Sequence, residues 1–250
     1  VQITNLENNS ILRADTSYLF NEMNHSISYG NTLLSMPLNE DTLYLTADTL
    51  LQQKKTEGNL LEAYPKANFK SINMVGFCDS LSYSEKEENL FLNKTPVIWL
   101  DEFQLTSDSI RILLQKDLIK MAFLNNNSFI TSEVDSNSFN QISGENMIAY
   151  FDENKLSNIK VLGNGESIYY VEDEKKSEAV GVNKIICSNM NIIIKRRQIE
   201  NINFYKEPDA ILYPINKTNL NDLLLKGFTW RNKSHIENII QGKMDKYHLF

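Results

Sequence analysis

A chain of 250 residues with 42% hydrophobic content is long enough to bury a substantial core, as one extended domain or two small ones. Its net charge of -7 and pI near 5.1 argue against a phosphate-binding face, and so against nucleic acid as a partner. No run of about eighteen apolar residues is present to span a bilayer as a helix, and two cysteines, Cys78 and Cys187, are too few for a disulfide framework or a CxxC metal site.

The start at Val1, with no Met and no charged-then-apolar leader, fits a processed secretory chain and an excised segment equally. From there a small-acidic-polar-apolar signature returns along the chain. It reads ADTS at Ala14, ADTL at Ala47, CDSL at Cys78, SDSI at Ser107, GENM at Gly144 and CSNM at Cys187, at intervals of 33, 31, 29, 37 and 43 residues. Each copy opens an alternating apolar/polar segment, then a charged tip such as QQKKTE or SEKEE, then a second alternating segment such as NLLEAY or NLFLN. Alternation every second residue, with Ile, Tyr, Phe, Leu and Thr prominent, predicts strands and excludes helical repeats, which need apolar residues at i, i+3, i+4 and i+7. The unit is therefore strand, turn, strand, corner, strand. The corners carry Gly30-Asn31, Tyr64-Pro65, Asn93 to Pro96, Gly163-Asn164 and Glu207-Pro208, residue types that supply turn geometry or stop a strand. The extra length of the later units, TSEVDSNSFNQIS and VEDEKKSEAVGVNK, reads as loops on one side of the array. After Pro214 the pattern fades. Residues 1–215 form one repeat domain, and 216–250 read as a cap or linker with short helices at 219–226 and 234–242.

The cysteines occupy the small position of the signature, three units apart. With rungs about 4.8 Å apart they lie roughly 14 Å from each other, beyond the reach of a disulfide, and are expected to be free and buried.

These residues carry a family resemblance. LTADTL and CDSLSY, the Pro after a short loop in NKTPVIWL, and the block from GENMIAYFDENKLSNIKVLGNGESIYYVEDE to INFYKEPDAILYP resemble the OstA-like family over roughly Ala14 to Pro214, and LKGFTWR at Leu225 to Arg231 is similar too. That family includes the periplasmic lipopolysaccharide transport protein LptA and the N-terminal domain of LptD, and the variant most similar here is the longer OstA-like form of Bacteroidota. The resemblance implies two facing antiparallel sheets bent into a V-shaped β-jellyroll, with lipid acyl chains in the groove. It implies a passive periplasmic or outer-membrane-associated protein with no cofactor, joined by edge-strand pairing to other OstA-like domains (LptC- or LptD-like) or to itself, while an inner-membrane ATP-driven transporter supplies energy.

Within that fold, strand parity predicts which side chains face the groove. With the small signature residue inward and the acidic one outward, Leu43 and Leu45 point in with Ala47, as do Phe103 and Leu105 with Ser107. On the opposite sheet the family pattern places the apolar side chain three residues after the corner Pro or its equivalent, at Trp99, Ile168 and Ile211, with Val97, Tyr170 and Tyr213 on the same face. Ser167 and Ala210 are their outward neighbours by this parity. Such residues otherwise simply fill a two-sheet core, and a phenol suits a groove mouth.

No enzymatic constellation accompanies this pattern. His25 falls at a turn tip, His235 and His248 in the tail, and the acidic runs 85–88 and 172–174 and the basic run 195–197 fall at predicted turns. Gly163-Asn164-Gly165 is a corner, with no helix following to make it a phosphate loop. A β-helical carbohydrate-active enzyme would need carboxylates or basic residues lined up on strands, and none are. A non-catalytic scaffold that assembles end to end is the other architecture an open strand array allows.

Overall fold

The computed structural model describes residues 1–38, 41–116, 118–172, 179–196, 198–206, 208–215 and 223–247. It is almost entirely antiparallel β-structure, 21 strands among the described residues, with one α-helix, α1, at Ser234–Lys246. The strands sort into two arms. Arm I begins with Thr16–Phe20, His25–Tyr29, Thr49–Lys55 and Gly58–Tyr64 and ends with Gln198–Tyr205, each strand pairing with the next. Arm II begins with Gln2–Thr4, Ile11–Arg13, Leu33–Pro37 and Thr42–Thr46 and ends with Asp209–Pro214. In the later units one strand serves both arms: Leu118–Asp135, Ser138–Asp152, Lys155–Glu172 and Ala179–Lys195 bend at a corner and run on. The segment 131–143, expected as a loop, is therefore a hairpin between two of these long strands, and 179–184 is strand as well. Thr131 and Gln141 face each other there and are almost fully buried. Polar residues buried on a strand mimic a loop in one-dimensional reading.

The signature explains the corners. Chain passing from arm II to arm I turns at the acidic residue, and chain returning to arm II turns at a residue with positive φ, such as Asn31, Lys66, Lys94 or Asn127. The two turns of a unit are stapled side chain to side chain. Asn31 Nδ2 donates to Asp15 at 2.7 Å, Lys94 Nζ to Asp79 at 2.7 Å and Asn127 Nδ2 to Asp108 at 3.1 Å, and Lys66 Nζ lies 3.4 Å from Asp48. The backbone N–H groups of Asp15 and Asp48 also donate to the carbonyls of Gly30 and Pro65. Non-Gly residues with positive φ are uncommon, and the pairing with the acidic side chain favours that geometry.

Between the arms lies one continuous core. On arm I an inward ladder runs Leu50, Ala63, Leu81, Leu92, Ile110, Leu124, Met147, Val161, Met190, each directly opposite the next. Its counterpart on arm II runs Leu12, Leu34, Leu45, Phe69, Gly76, Ile98, Leu105, Ile130, Ile142. Gly76 stands in this ladder because the Phe69 ring occupies the space a side chain would need: a Cβ there would lie 2.3 Å from Phe69 Cζ.

The C-terminal segment straps the outside of arm II. Leu223 and Leu225 pack on Phe129, Ile168, Tyr170 and Val182. Phe228 and Trp230 pack at a tilt against Phe139, and Arg231 lies over Phe77. Two buried glutamines, each 1% exposed, hold its backbone. Gln141 Nε2 donates to Leu223 O and its Oε1 accepts from Leu225 N; Gln104 Nε2 donates to Thr229 O and its Oε1 accepts from Arg231 N. Each amide thus mimics the neighbouring strand that an extended segment would otherwise pair with. The helix expected at 234–242 is α1, whose Ile236 and Ile240 cover Val75, Val97 and Trp99. Its acidic Glu237 sits in the first turn and Lys243 and Lys246 in the last, matching the helix dipole, and Tyr247, just beyond its end, returns to the first corner by donating to Asn31 O. Of the helix expected at 219–226, residues 219–222 lie outside the described residues, and 223–226 are not α-helical.

Gly76→Ala should lower stability by about 1–3 kcal/mol through overpacking against Phe69, measured by urea denaturation; an unchanged midpoint would show the ladder can yield. Gln104→Ala should cost about 1–3 kcal/mol by leaving Thr229 O and Arg231 N unpaired, and hydrogen exchange should accelerate at 229–231 ahead of the arm strands.

Candidate functional site

Two adjoining cavities lie between the arms in the early units, the first lined mainly by apolar side chains and the second by a mixture of apolar and polar ones. One cavity of about 440 Å³ lies between Met36, Leu43, Leu45, Phe69 and Met74 of arm II and Leu61, Leu81, Tyr83, Leu90, Ile112 and Leu114 of arm I. A second, of about 760 Å³, continues toward the N-terminal end past Ile3, Leu19, Phe20, Leu34 and Gln52. Met36, Leu38, Leu61 and Tyr83 line both, so the two form one trough along the flank of the first four units. Below it the interior closes into packed core.

The expected site residues divide into three groups. Leu43 and Leu45 line the trough. Phe103 and Leu105 face the same interior, buried in the core between the arms. The remaining six are a correction: Val97, Trp99, Ile168, Tyr170, Ile211 and Tyr213 do not face the groove. They share one face, as expected, but it is the outer face of arm II. Trp99 lies opposite Val75 and Gln104, Ile168 opposite Gln141, and Ile211 opposite Lys184, all positions that point away from the core ladder. Val97 and Trp99 pack under α1, Ile168, Tyr170 and Tyr213 belong to the cluster around Leu223 and Leu225, and Ile211 is 49% exposed. Ser167, expected outward, is opposite Ile142, only 1% exposed, with its hydroxyl buried without a partner; Ala210 is opposite the buried Ile185.

The error has a physical cause. A shift of one residue exchanges the two faces of a strand, and Val97-Ile98-Trp99-Leu100 is buried throughout. A strand covered on both sides loses its alternation, so nothing local reports the phase. The arm I residues lining the trough were missed altogether. Their signal was available: the fourth signature residue, Leu50, Leu81 or Ile110, points inward, and two residues further on Gln52, Tyr83 and Ile112 reach the trough.

The small signature position is buried in five of the six copies, Gly144 being half-buried. Ala14, Ala47, Cys78, Ser107 and Cys187 are all under 9% exposed, and where a donor is present it bonds the carbonyl two residues on: Cys78 to Ser80 at 3.2 Å, Ser107 to Ser109 at 2.7 Å, Cys187 to Asn189 at 3.1 Å. Both cysteines are free. Burial pushes the Cys78 thiol up to about 12 and also raises that of Cys187. His25 stacks on Phe20 at a tip, His235 sits at the start of α1, and His248, Arg197 and residues 173–174 lie outside the described residues. Among the described residues no three His, Cys, Asp or Glu side chains gather as metal ligands, and no helix is long and apolar enough to cross a membrane.

No family model and no curated protein matches the chain. Among solved structures it is similar to the crystal structure of LptH from Pseudomonas aeruginosa, described as the LptA homologous periplasmic component of the conserved lipopolysaccharide transport device. The identity is 12% and the TM-score 0.41, over 46% of this chain and 82% of that one. The two-armed β-fold stands on the strand pairings themselves.

Because the thiolate is the reactive form, the folded protein at pH 8 should leave Cys78 unlabelled by iodoacetamide over hours and become labelled in denaturant, read by mass spectrometry. Rapid native labelling of Cys78 would show that its corner opens.

Proposed function

We propose that this chain is a passive acyl-lipid carrier, and that the trough is where hydrocarbon chains lie. The observation that supports this is the trough's extent: side chains of both arms line it along four units, apolar from Leu43, Leu45 and Phe69 of arm II to Leu81, Leu90 and Ile112 of arm I and mixed with polar groups toward the N-terminal end. Each methylene transferred into such a lining is worth about 0.8 kcal/mol, so a chain of about fourteen carbons gains on the order of 11 kcal/mol. In a closed pocket that affinity would hold the lipid in place. In a trough of similar lining at every rung, a lipid moves along without losing apolar contact, so transfer needs no chemistry from this chain.

The cargo that the family resemblance implies is lipopolysaccharide, carried in the periplasm toward the outer membrane. The ends of the arms support the joining that such a bridge requires. Gln2–Thr4 and Thr16–Phe20 at one end, and Gln198–Tyr205 and Asp209–Pro214 at the other, each pair with a strand on one side only among the described residues. Open edges extend a sheet by backbone hydrogen bonding to a further OstA-like domain, LptC- or LptD-like, or to a second copy. The same edges would serve a scaffold that carries nothing, and lipid occupancy of the trough separates the two.

A photo-crosslinking side chain at Leu43 or Tyr83, in cells making lipopolysaccharide, should yield a lipid adduct, and one at Ser82, on the outer face of arm I opposite Glu62 and Phe91, should not. Adducts absent at both trough positions, or equal at Ser82, would overturn the carrier reading. Leu43→Trp, which narrows the mouth, should reduce adduct formation at Tyr83.

A further inference from the structure

The strap covers the outer face of arm II, whereas among the described residues no segment covers the outer face of arm I. A single ladder crosses that uncovered face over ten successive strands, each residue directly opposite the next. Its first half reads Tyr18, Ile27, Leu51, Glu62, Ser82, and its second half Phe91, Arg111, Phe123, Ile148, Lys160. Tyr18 and Lys160 at its ends are exposed, and the eight residues between them are half-buried, so every rung presents side chain to water. Six of the ten are aliphatic or aromatic, a contiguous apolar strip of the kind that marks an interaction surface. The three charges on it are ordered, the acid on the fourth strand and the bases on the seventh and tenth. None of them has an ionic partner among the described residues. The Arg111 guanidinium lies over the Phe123 ring at 4.1 Å, and the Lys160 ammonium over Tyr150 at 5.1 Å, so both cations are spread on the face itself.

That order is complementary to itself. When a second copy is turned by half a turn about an axis parallel to the strands and lying between the fifth and sixth of them, its strand order reverses while positions along each strand stay in place. Glu62 then faces the partner's Arg111, and Tyr18 faces the partner's Lys160, an ammonium against a phenol ring. Between them Ile27 faces the partner's Ile148, and Leu51 the partner's Phe123. Each contact occurs twice, as an isologous interface requires. A half turn about the ladder itself would instead set Glu62 against the partner's Glu62 and Arg111 against the partner's Arg111, which like charges oppose. Ten strands about 4.8 Å apart, each presenting about 17 Å of its length, offer on the order of 800 Å², the share that each partner gives to an interface of standard size. We infer that the outer face of arm I is an interface, and that the protein pairs through it back to back with a second copy. The contact leaves the trough of each copy open and the end strands of both arms free, so it stands apart from the carrier reading and from edge pairing.

Interfaces of this size hold at micromolar concentration or tighter, so the full chain should sediment as a dimer at about 50 μM. Glu62→Arg and Arg111→Glu each put two like-charge contacts into that dimer and should weaken association at least about tenfold. An equimolar mixture of the two variants places opposite charges at both contacts again, and should dimerise as the unaltered chain does. Within one chain the two residues stand three strands apart, roughly 14 Å, so recovery in the mixture arises only between copies. A second measurement does not depend on those charges: Leu51→Cys mixed with Phe123→Cys should be joined by a bismaleimide spanning about 10 Å, the spacing of stacked sheets, and either variant by itself should not. A chain that sediments as a monomer would overturn the inference. So would a dimer indifferent to both charge reversals, which would place the contact at the open strand ends, and so would a mixture of the reversed variants that stays monomeric while both retain the β-sheet circular dichroism of the unaltered chain. If either reversed variant loses that signal, the cysteine mixture decides, and its failure to cross-link would overturn the inference equally.

Discussion

The structure depends on a staple repeated along its seam. In four of the six units an acidic side chain at one corner meets a residue held at positive φ at the next: Asp15 with Asn31, Asp48 with Lys66, Asp79 with Lys94 and Asp108 with Asn127. Each pair is exposed, and a single exposed pair contributes at most about 1 kcal/mol. Their effect is positional. A corner held in one geometry sets the phase of the strand leaving it, and the phase decides whether Leu45 or Tyr44 points between the arms. Four corners repeating that choice in register set the phase of two apolar ladders facing each other, with the hydrophobic contribution following from the geometry the corners impose.

The C-terminal strap resolves the second demand on arm II. The outer face of that arm carries Val75, Val97, Trp99, Phe129, Ile168 and Tyr170, too much contiguous apolar surface to leave in water. The strap covers it from the last units back to the first, and the first corner anchors its end: Lys246 and then Asn31 donate to Asp15 and hold that carboxyl below its usual range. Gln104 and Gln141 let an extended segment cross the strands with its backbone polar groups satisfied, which apolar packing by itself would not achieve. Among the described residues no segment covers arm I in this way, and its outer ladder mixes Glu62, Ser82 and Arg111 with Leu51, Phe91 and Phe123.

The trough follows from the same asymmetry. Strands in the early units are short, and Leu61, Leu81, Leu90 and Ile112, which belong to the buried core, also wall the cavity between the arms. In the later units the long strands carry Ile159, Ile192 and Ile194 into the buried core. The turns that end the short strands are rich in carboxylates and amides, which places a hydrophilic rim directly above an apolar floor. That juxtaposition is what an amphiphile requires.

Much of this was legible in the sequence. The recurrence of ADTL, CDSL and SDSI determined that the chain is a β array, where its corners fall, that Cys78 and Cys187 are apart and buried, and that Leu43 and Leu45 face inward, because each of these follows from local alternation and turn chemistry. The tail helix at 234–242 was legible from its own apolar spacing. What only the tertiary structure decided is which face of arm II is inside. Val97-Ile98-Trp99-Leu100 reads the same whichever way it is turned, since the strap buries one face and the opposite arm buries the other. Ser167 and Gln141, both polar and both buried, point to opposite sides for the same reason. Burial on two sides erases the alternation on which sequence reading relies, and the partner that covers the second side lies more than a hundred residues away from Trp99 along the chain, where no local pattern can register it.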